Sequence, residues 1–155
     1  MAEAAPRRVL LVDDDITMLD AHARMVEQCG YVPLQASTWS DALRMFRTSS
    51  PDIVLLDVMM PGDDGYSVCS QLKKKSATQN IPVIFMSALD DTDSKVKGFS
   101  AGAVDYVTKP LQREEVLARV DTHLTLRRQQ QELETKNRQL RDQIAQRKKA
   151  EQALQ

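Results

Sequence analysis

The chain has 155 residues, a length that allows one ordinary domain and an appendage. Hydrophobic residues make up 42% of the chain and charged residues 28%, as is typical of a globular protein. It has no apolar run near the roughly 20 residues that span a bilayer, and only Met1 to Pro6 precede the first apolar run, so we expect no membrane contact and no signal peptide. Two cysteines, Cys29 and Cys69, form no disulfide framework and favour a reducing compartment, with the cytoplasm as the expected location.

The charges are distributed unevenly along the chain. Residues 1–126 hold 13 Lys/Arg and 18 Asp/Glu, whereas residues 127–155 hold 8 and 4. An acidic body is therefore followed by a basic tail, and the two parts call for separate interpretation.

The body alternates strand-like and helix-like segments. Five short segments have the apolar character of buried strands: RVLLVD, YVPLQA, DIVLLD, IPVIFMSA and VDYVTKP. Pro33 in the second segment favours an edge strand. Segments with helical spacing follow each strand, and we predict that the last helix begins at Leu111 and buries Val116, Leu117, Val120 and Leu124. Five such βα units predict a parallel sheet with helices on both faces.

The residues at the strand ends are the candidate site. Open α/β sheets bind ligands beyond the carboxyl ends of their strands. In this chain those positions hold Asp13, Asp14 and Asp15 after strand one, Asp57 after strand three, Ser87 after strand four and Lys109 after strand five. After Asp57, the Pro61-Gly62 pair turns the chain away and leaves the carboxylate accessible.

These residue types fit metal-assisted phosphoryl transfer. Asp13, Asp14 and Asp57 would repel one another in one cleft, and a divalent cation relieves that repulsion. Mg²⁺ prefers oxygen ligands and keeps room for phosphate oxygens, and a carboxylate is a competent nucleophile toward phosphorus. Lys109 and Ser87 could supply a positive charge and a hydrogen-bond donor to the phosphoryl oxygens.

Four motifs carry a resemblance to a known family. VDDD, LLDVMMPGDDGY, PVIFMSA and DYVTKP, in this order and spacing, resemble the receiver domain of two-component response regulators over about residues 7–126. The resemblance implies a flavodoxin-like α/β fold with a five-stranded parallel sheet of order 2-1-3-4-5. It also implies a Mg²⁺ cofactor and a phosphoryl donor that is a sensor histidine kinase or a phosphotransfer protein.

The resemblance further implies roles for single residues. Asp57 matches the phosphoacceptor, Asp14 a direct Mg²⁺ ligand, and Asp13 a residue that acts mainly through water. Met59 would offer its backbone carbonyl to the metal. Lys109 matches the lysine that contacts the phosphoryl group.

The switch elements follow from the same resemblance. Ser87 matches the hydroxyl residue that moves toward the phosphoryl group. Tyr106 matches the aromatic residue that then swings inward. This movement alters the face formed by strand five and by the helices predicted directly before and after it, helix four and helix five. Lys109-Pro110 matches a peptide bond that is cis in the family.

Other interpretations remain open from the residues alone. Asp13–Asp15 could form a solvated turn in which Asp15 caps a helix, Asp57 could simply end a strand, and Tyr106 could be ordinary packing. A haloacid-dehalogenase-type phosphatase also uses a strand-end Asp with Mg²⁺, and it has a second Asp two residues later that acts as general acid. In this chain Met59 occupies that second position, and its side chain cannot act as an acid. We therefore expect no enzyme turnover.

Several other polar residues are interpreted as structural or solvated. The run Lys73–Lys75 is expected to be solvated at the end of its helix, and Asp63 and Asp64 are expected to be solvated loop residues. His22 and His123 are isolated, with no ligand partner at metal spacing, and both are interpreted as structural.

Met59 and Leu89 match the positions that influence autodephosphorylation in the family. Both side chains are apolar and neither can orient a water molecule, which predicts slow loss of the phosphoryl group.

The tail has a coiled-coil pattern. No Pro or Gly follows Gln112, so the last helix is free to continue through residues 127–155. Leu126, Leu133, Leu140 and Leu154 recur at seven-residue spacing, interrupted by Arg147, with Asn137 and Ile144 in the alternate layer. We predict a homodimer, although Lys136 would face Arg141 in a parallel pair; a single exposed helix is the alternative.

The final residues RKKAEQALQ resemble linkers that lead to an output domain, so we interpret residues 127–155 as a linker to a domain beyond this chain. A receiver that acts alone by binding partners is the alternative. We expect no nucleic-acid binding through the tail, because no recognised DNA-binding motif accompanies its mixed charges.

Overall fold

The computed structural model describes residues 6–60, 63–87 and 100–154, and their central feature is a parallel sheet. Its strands are β1 (Arg8–Val12), β2 (Val32–Ala36), β3 (Ile53–Asp57), β4 (Val83–Ser87) and β5 (Asp105–Thr108). Their order is β2-β1-β3-β4-β5. The predicted flavodoxin-like α/β fold is confirmed, and Pro33 lies on an edge strand as expected.

Within the described ranges, four helices accompany the sheet: α1 (Ile16–Gln28), α2 (Trp39–Thr48), α3 (Gly65–Lys74) and α4 (Arg113–Ala153). The helix predicted between strands four and five falls mostly within residues 88–99, which lie outside the described residues, as do Leu89 and the Pro61-Gly62 turn. A short antiparallel pairing joins Met59–Met60 to Asp63–Asp64.

Alternate strand residues pack into two separate cores, one on each face of the sheet. On one face, strand residues such as Leu10 and Leu56 pack with residues of α2 and α3: Ala42, Val68, Cys69 and Leu72. On the other face, Leu11 and Leu55 pack with residues of α1 and α4: Leu19, Ala23, Val26, Val116, Val120 and Leu124. The period-two alternation explains why β3 is buried along its whole length.

Two sequence expectations about side chains were wrong. Leu117 was expected in the core but is 41% exposed, because it lies about 100° around the helix from the buried row that Val116 begins. Lys73 was expected in a solvated run, but its Nζ donates to the carbonyl oxygens of Gln79 at 3.2 Å and Ile81 at 2.8 Å. The amine thus satisfies carbonyl groups of the loop that leads to β4.

The last helix runs without a break from Arg113 to Ala153, as the absence of Pro and Gly predicted. The chain divides into two compact units, Met1–Leu124 and Thr125–Gln155. In the second unit the side chains of the predicted seam, Leu126, Leu133, Leu140, Ile144 and Leu154, are all more than half exposed. Among the described residues, no helix has the length and apolar character needed to cross a membrane.

Candidate functional site

Three carboxylates meet at the carboxyl edge of the sheet. One oxygen from each of Asp13, Asp14 and Asp57 lies within 4.8 Å of the other two. Asp13 and Asp57 are buried, with 0% and 4% of their surfaces exposed, whereas Asp14 is exposed. The cluster therefore has a buried floor and one side open to solvent.

Backbone hydrogen bonds fix Asp13 at the turn between β1 and α1. Its N–H donates to the Ala36 carbonyl at 3.1 Å, and its Oδ1 accepts from the Asp15 N–H at 3.0 Å. Asp15 in turn caps α1 by accepting from the Met18 N–H at 3.1 Å. Of the three consecutive aspartates, Asp15 therefore caps α1, and Asp13 and Asp14 belong to the carboxylate cluster.

Asp57 is the last residue of the buried strand β3. Its Oδ1 accepts a hydrogen bond from the Met59 N–H at 3.0 Å. The Met59 side chain is 80% exposed, so a large apolar group stands in solvent two residues beyond the carboxylate.

Lys109 joins the two buried carboxylates. Its Nζ lies 3.0 Å from Asp57 Oδ2 and 3.1 Å from Asp13 Oδ2. Its backbone N–H donates to the Ser87 carbonyl at 2.6 Å, and the peptide bond to Pro110 is cis. The structure therefore brings the residues at the carboxyl ends of β1, β3, β4 and β5 to one location.

Burial and neighbouring opposite charges act in opposite directions on the pKa values of Asp57 and Lys109. Burial raises the pKa of Asp57, helped by the Asp13 carboxylate, although the Met59 N–H and Lys109 oppose the rise. For Lys109, burial acts to lower the pKa, but the contacts with Asp57 and Asp13 outweigh it, so the pKa lies above its ordinary value. The ammonium thus remains charged and partly neutralises the two buried carboxylates.

The carboxylate cluster fits a hard divalent cation. Its donors are all carboxylate oxygens and one side is open to solvent, which suits an ion that keeps several water ligands. The Lys109 ammonium supplies one positive charge against three negative ones, so the cluster retains an excess of negative charge.

The two predicted switch residues occupy neighbouring strands. Ser87 ends β4, is half-buried and pairs with Thr108 of β5. Tyr106 is only 7% exposed, so its ring already points inward. An edge-to-face row of rings connects Tyr106 to Phe85 at 6.4 Å and Phe85 to Tyr66 at 5.2 Å.

An ionic cluster that the sequence did not predict lies beside Tyr106, and it includes His123, which was expected to be isolated. Asp105 Oδ1 lies 2.7 Å from Arg119 Nη1, and Asp105 Oδ2 lies 2.8 Å from His123 Nε2. Burial alone would raise the pKa of Asp105, but hydrogen bonds from His123, the Tyr106 N–H and Arg119 hold it below its ordinary value. The only sequence signal was the four-residue spacing of two basic residues on one helix.

The start of α3 also differs from the expectation. Asp64 was expected to be a solvated loop residue, but it caps α3 by accepting from the Tyr66 N–H at 3.0 Å. Gly65 is buried, and its N–H donates to the Val58 carbonyl at 3.3 Å. A Cβ at Gly65 would lie 2.9 Å from the Asp57 carbonyl oxygen and 3.0 Å from the Val58 Cα. The absence of a side chain therefore lets α3 approach the backbone of the Asp57 turn.

Gly65→Ala is expected to lower the free energy of unfolding by about 1 to 3 kcal/mol and to slow the chemistry at Asp57, because only backbone atoms are available to move. Urea unfolding and a phosphoryl-uptake assay measure the two effects. Gly30→Ala is the matched control: Gly30 has a φ of +94° but nothing within 4 Å of an added Cβ. It should lose stability without loss of uptake, and equal uptake by both variants would contradict the expectation.

This fold and site define a class: an α/β protein with a buried strand-end aspartate, an acidic pair and a lysine at the carboxyl edge of the sheet. Residues 9–121 match the family described as response regulator receiver domain. The chain belongs to this family, whose members are phosphoryl-accepting modules of two-component signalling, and it contains one receiver domain followed by a long helix.

Curated relatives share the receiver part. The chain is 35% identical over 114 residues to the phosphate regulon transcriptional regulatory protein PhoB of Escherichia coli (strain K12), covering 74% of this chain and 50% of PhoB. It is 39% identical over 113 residues to the DNA-binding dual master transcriptional regulator RpaA of Synechocystis, covering 73% and 47%. The chain therefore spans about half the length of these relatives.

Solved structures show the same fold. A response regulator from Chloroflexus aurantiacus superposes with a TM-score of 0.74 at 33% identity, covering 78% of this chain and 99% of that one. The signal receiver domain of a signal transduction histidine kinase from Syntrophus aciditrophicus gives 0.69 at 30% identity, covering 77% and 90%.

Proposed function

We propose that this receiver accepts a phosphoryl group on Asp57 from a sensor histidine kinase or a phosphotransfer protein. The observation that carries the proposal is the position of the Lys109 ammonium, 3.0 Å from the Asp57 carboxylate and 3.1 Å from that of Asp13. A carboxylate oxygen of Asp57 attacks phosphorus as the donor's bond to phosphorus breaks, giving an aspartyl phosphate. The donor's leaving group takes up a proton from solvent.

The chain's own residues orient this reaction. The Met59 N–H holds Asp57 Oδ1 at 3.0 Å, which leaves Oδ2, the oxygen that faces Lys109, as the candidate nucleophile. Lys109 is then placed to contact the transferred phosphoryl oxygens, and the Ser87 hydroxyl to donate to them after moving toward the group.

Mg²⁺ would be held by Asp14 and Asp57, by the backbone carbonyl of Met59, and by Asp13 mainly through water. When bound, the ion neutralises charge on the phosphoryl oxygens during transfer. The excess of carboxylates over Lys109 in the cluster supports this assignment.

The test is the intact mass of the chain after incubation with acetyl phosphate, with Mg²⁺ present or removed by a chelator. We expect one added phosphoryl group with Mg²⁺ and none without it. No adduct in either sample, together with no binding of beryllium fluoride, would overturn the proposal.

A long phosphoryl lifetime is proposed from Met59. Its exposed thioether can neither activate nor orient a water molecule. Met59→Asn, which introduces a polar amide at that position, is expected to speed the loss of the phosphoryl group by about 10-fold. Loss of the added mass after removal of the donor measures this rate. Met59→Leu is the apolar control, and equal rates in the Asn and Leu variants would contradict the prediction.

We propose that phosphorylation favours the buried orientation of Tyr106 and is relayed from β5 into α4. The Asp105–Arg119–His123 contacts, which join β5 to α4 beside Tyr106, support this route. The continuity of α4 from Arg113 to Ala153 supports residues 127–155 as the helical linker that receives the signal.

A homodimer through the tail is proposed from its leucine seam. Leu133 and Leu140 are 61% and 55% exposed, and a second copy of the same helix would cover them. Leu140→Glu is expected to move the monomer–dimer midpoint to about 10- to 100-fold higher protein concentration, as the loss of one buried leucine predicts. Sedimentation equilibrium measures the midpoint, with Gln139→Glu, one residue off the seam, as the control. A monomeric wild-type chain at all concentrations would contradict the dimer.

A further inference from the structure

We propose that His22 is a positioning residue for Lys109: its neutral imidazole accepts a hydrogen bond from the Leu111 N–H and fixes the segment 109–111 from which Lys109 reaches the carboxylates. The proposal deepens the proposed function and rests on it for its effect on phosphoryl transfer. From the sequence alone, His22 was expected to be purely structural.

The geometry places His22 on the inner side of α1. Its side chain is only 3% exposed, and Nε2 accepts from the Leu111 N–H at 3.2 Å. Leu111 itself is 4% exposed and lies in the same core as Leu19 and Ala23 of α1. The histidine thus provides a buried acceptor for a buried amide that precedes the first residue of α4.

This bond completes the attachment of a three-residue segment. Pro110 has no N–H, so residues 109–111 have two backbone donors. The Lys109 N–H donates to the Ser87 carbonyl at 2.6 Å, and the Leu111 N–H donates to His22. One donor is thereby held by β4 and the other by α1. Both ends of the segment are fixed, and between them they set the direction of the Lys109 side chain.

The hydrogen bond defines the tautomer of His22. Because Nε2 accepts, the proton of a neutral ring must lie on Nδ1. Nδ1 is buried and has no hydrogen-bond partner within the described part of the chain. A second proton on Nε2 would bring two donors face to face and break the bond to Leu111.

The surroundings keep the ring neutral. Burial lowers the pKa of His22 below its ordinary value, and the charge of Lys109 adds to this effect. Asp13 and Asp15 act in the opposite direction without reversing it. The folded chain therefore resists the proton that the unfolded chain accepts below pH 6.5, so acid weakens the fold in that range.

The test uses the ¹⁵N-labelled full chain as wild type, His22→Leu and His22→Gln. Leucine removes the acceptor, whereas glutamine offers an amide oxygen in its place. Imidazole ¹⁵N shifts report the tautomer, amide hydrogen exchange reports the Leu111 N–H, and intact mass reports phosphoryl uptake from acetyl phosphate. His123→Gln leaves one histidine and assigns the imidazole signals.

We expect an Nδ1-protonated ring in the wild type. His22→Leu should speed Leu111 exchange and slow phosphoryl uptake, each by roughly 3- to 10-fold, the ratio that corresponds to one net hydrogen bond. His22→Gln should restore a large part of both. An Nε2-protonated ring in the wild type, or unchanged exchange and uptake in a folded His22→Leu chain, would overturn the proposal.

The two proposals fail in different ways. If the wild-type chain takes up no phosphoryl group, the proposed function fails, while the tautomer and the Leu111 exchange still test the role of His22. If His22→Leu does not fold, the tautomer of the wild type and the exchange in His22→Gln decide the proposal.

Discussion

Asp57→Asn is expected to abolish phosphoryl uptake from acetyl phosphate, so that its intact mass stays unchanged while the wild-type chain gains one phosphoryl group. The reason is chemical: an amide oxygen is a far weaker nucleophile toward phosphorus than a carboxylate oxygen. Asparagine has nearly the same shape, so it keeps the acceptor for the Met59 N–H, which lies 3.0 Å from Oδ1 in the wild type. The lost reaction would therefore not arise from a distorted turn.

Stability data separate lost chemistry from lost folding. Lys109 keeps Asp13 as a partner in this variant, and one buried negative charge is gone, so we expect a free energy of unfolding within about 1 kcal/mol of the wild type or above it. Asp20→Asn, on the exposed side of α1 with an ion pair to Arg24, is the matched control and should react like the wild type. Uptake by Asp57→Asn at the wild-type rate would place the acceptor elsewhere.

Lys109→Met should produce the second large effect: it lowers the free energy of unfolding, and added Mg²⁺ restores part of this loss. The variant leaves Asp13 and Asp57, 0% and 4% exposed, without their counter-ion. Removing one partner of a buried ion pair costs about 3 to 5 kcal/mol, and the exposure of Asp14, on the open side of the cluster, places the cost at the lower end. Urea unfolding in the presence of a chelator measures the loss.

The divalent cation then takes over the charge balance. We expect Mg²⁺ to raise the free energy of unfolding more in Lys109→Met than in the wild type, because the Lys109 ammonium no longer competes with the cation for the carboxylates. Phosphoryl uptake should still fall by about 100-fold, the usual effect of losing a group that stabilises charge in the transition state. Lys74→Met, an exposed lysine on α3, controls for the substitution. An unchanged metal-free stability would contradict the proposed role of Lys109 as counter-ion.

Local patterns were sufficient to predict much of the molecule. Short apolar segments located the five strands of the described parallel sheet. The rule that sites form at carboxyl strand ends selected Asp13, Asp57 and Lys109, which the structure brings together. These features depend on residues close in sequence or on a general property of parallel sheets. Capping by Asp15 was predictable for the same reason.

Other features depend on contacts between distant segments. The bond between His22 and the Leu111 N–H joins α1 to the loop after β5, and no spacing rule relates these positions. The close approach at Gly65 requires the helix and the Asp57 turn to be placed first. For Leu117, hydrophobicity alone was misleading. The helix face that packs against the sheet carries Val116 and Val120, and Leu117 lies outside that face.

The alternation of β5 between the two cores has a consequence for signalling. Tyr106 belongs to the core that includes α2 and α3, and its neighbour Val107 belongs to the core that includes α1 and α4. A sideways displacement of this edge strand must therefore disturb both helical layers at once. If phosphorylation displaces β5 as proposed, partners bound to opposite sides of the receiver domain would both respond to that displacement.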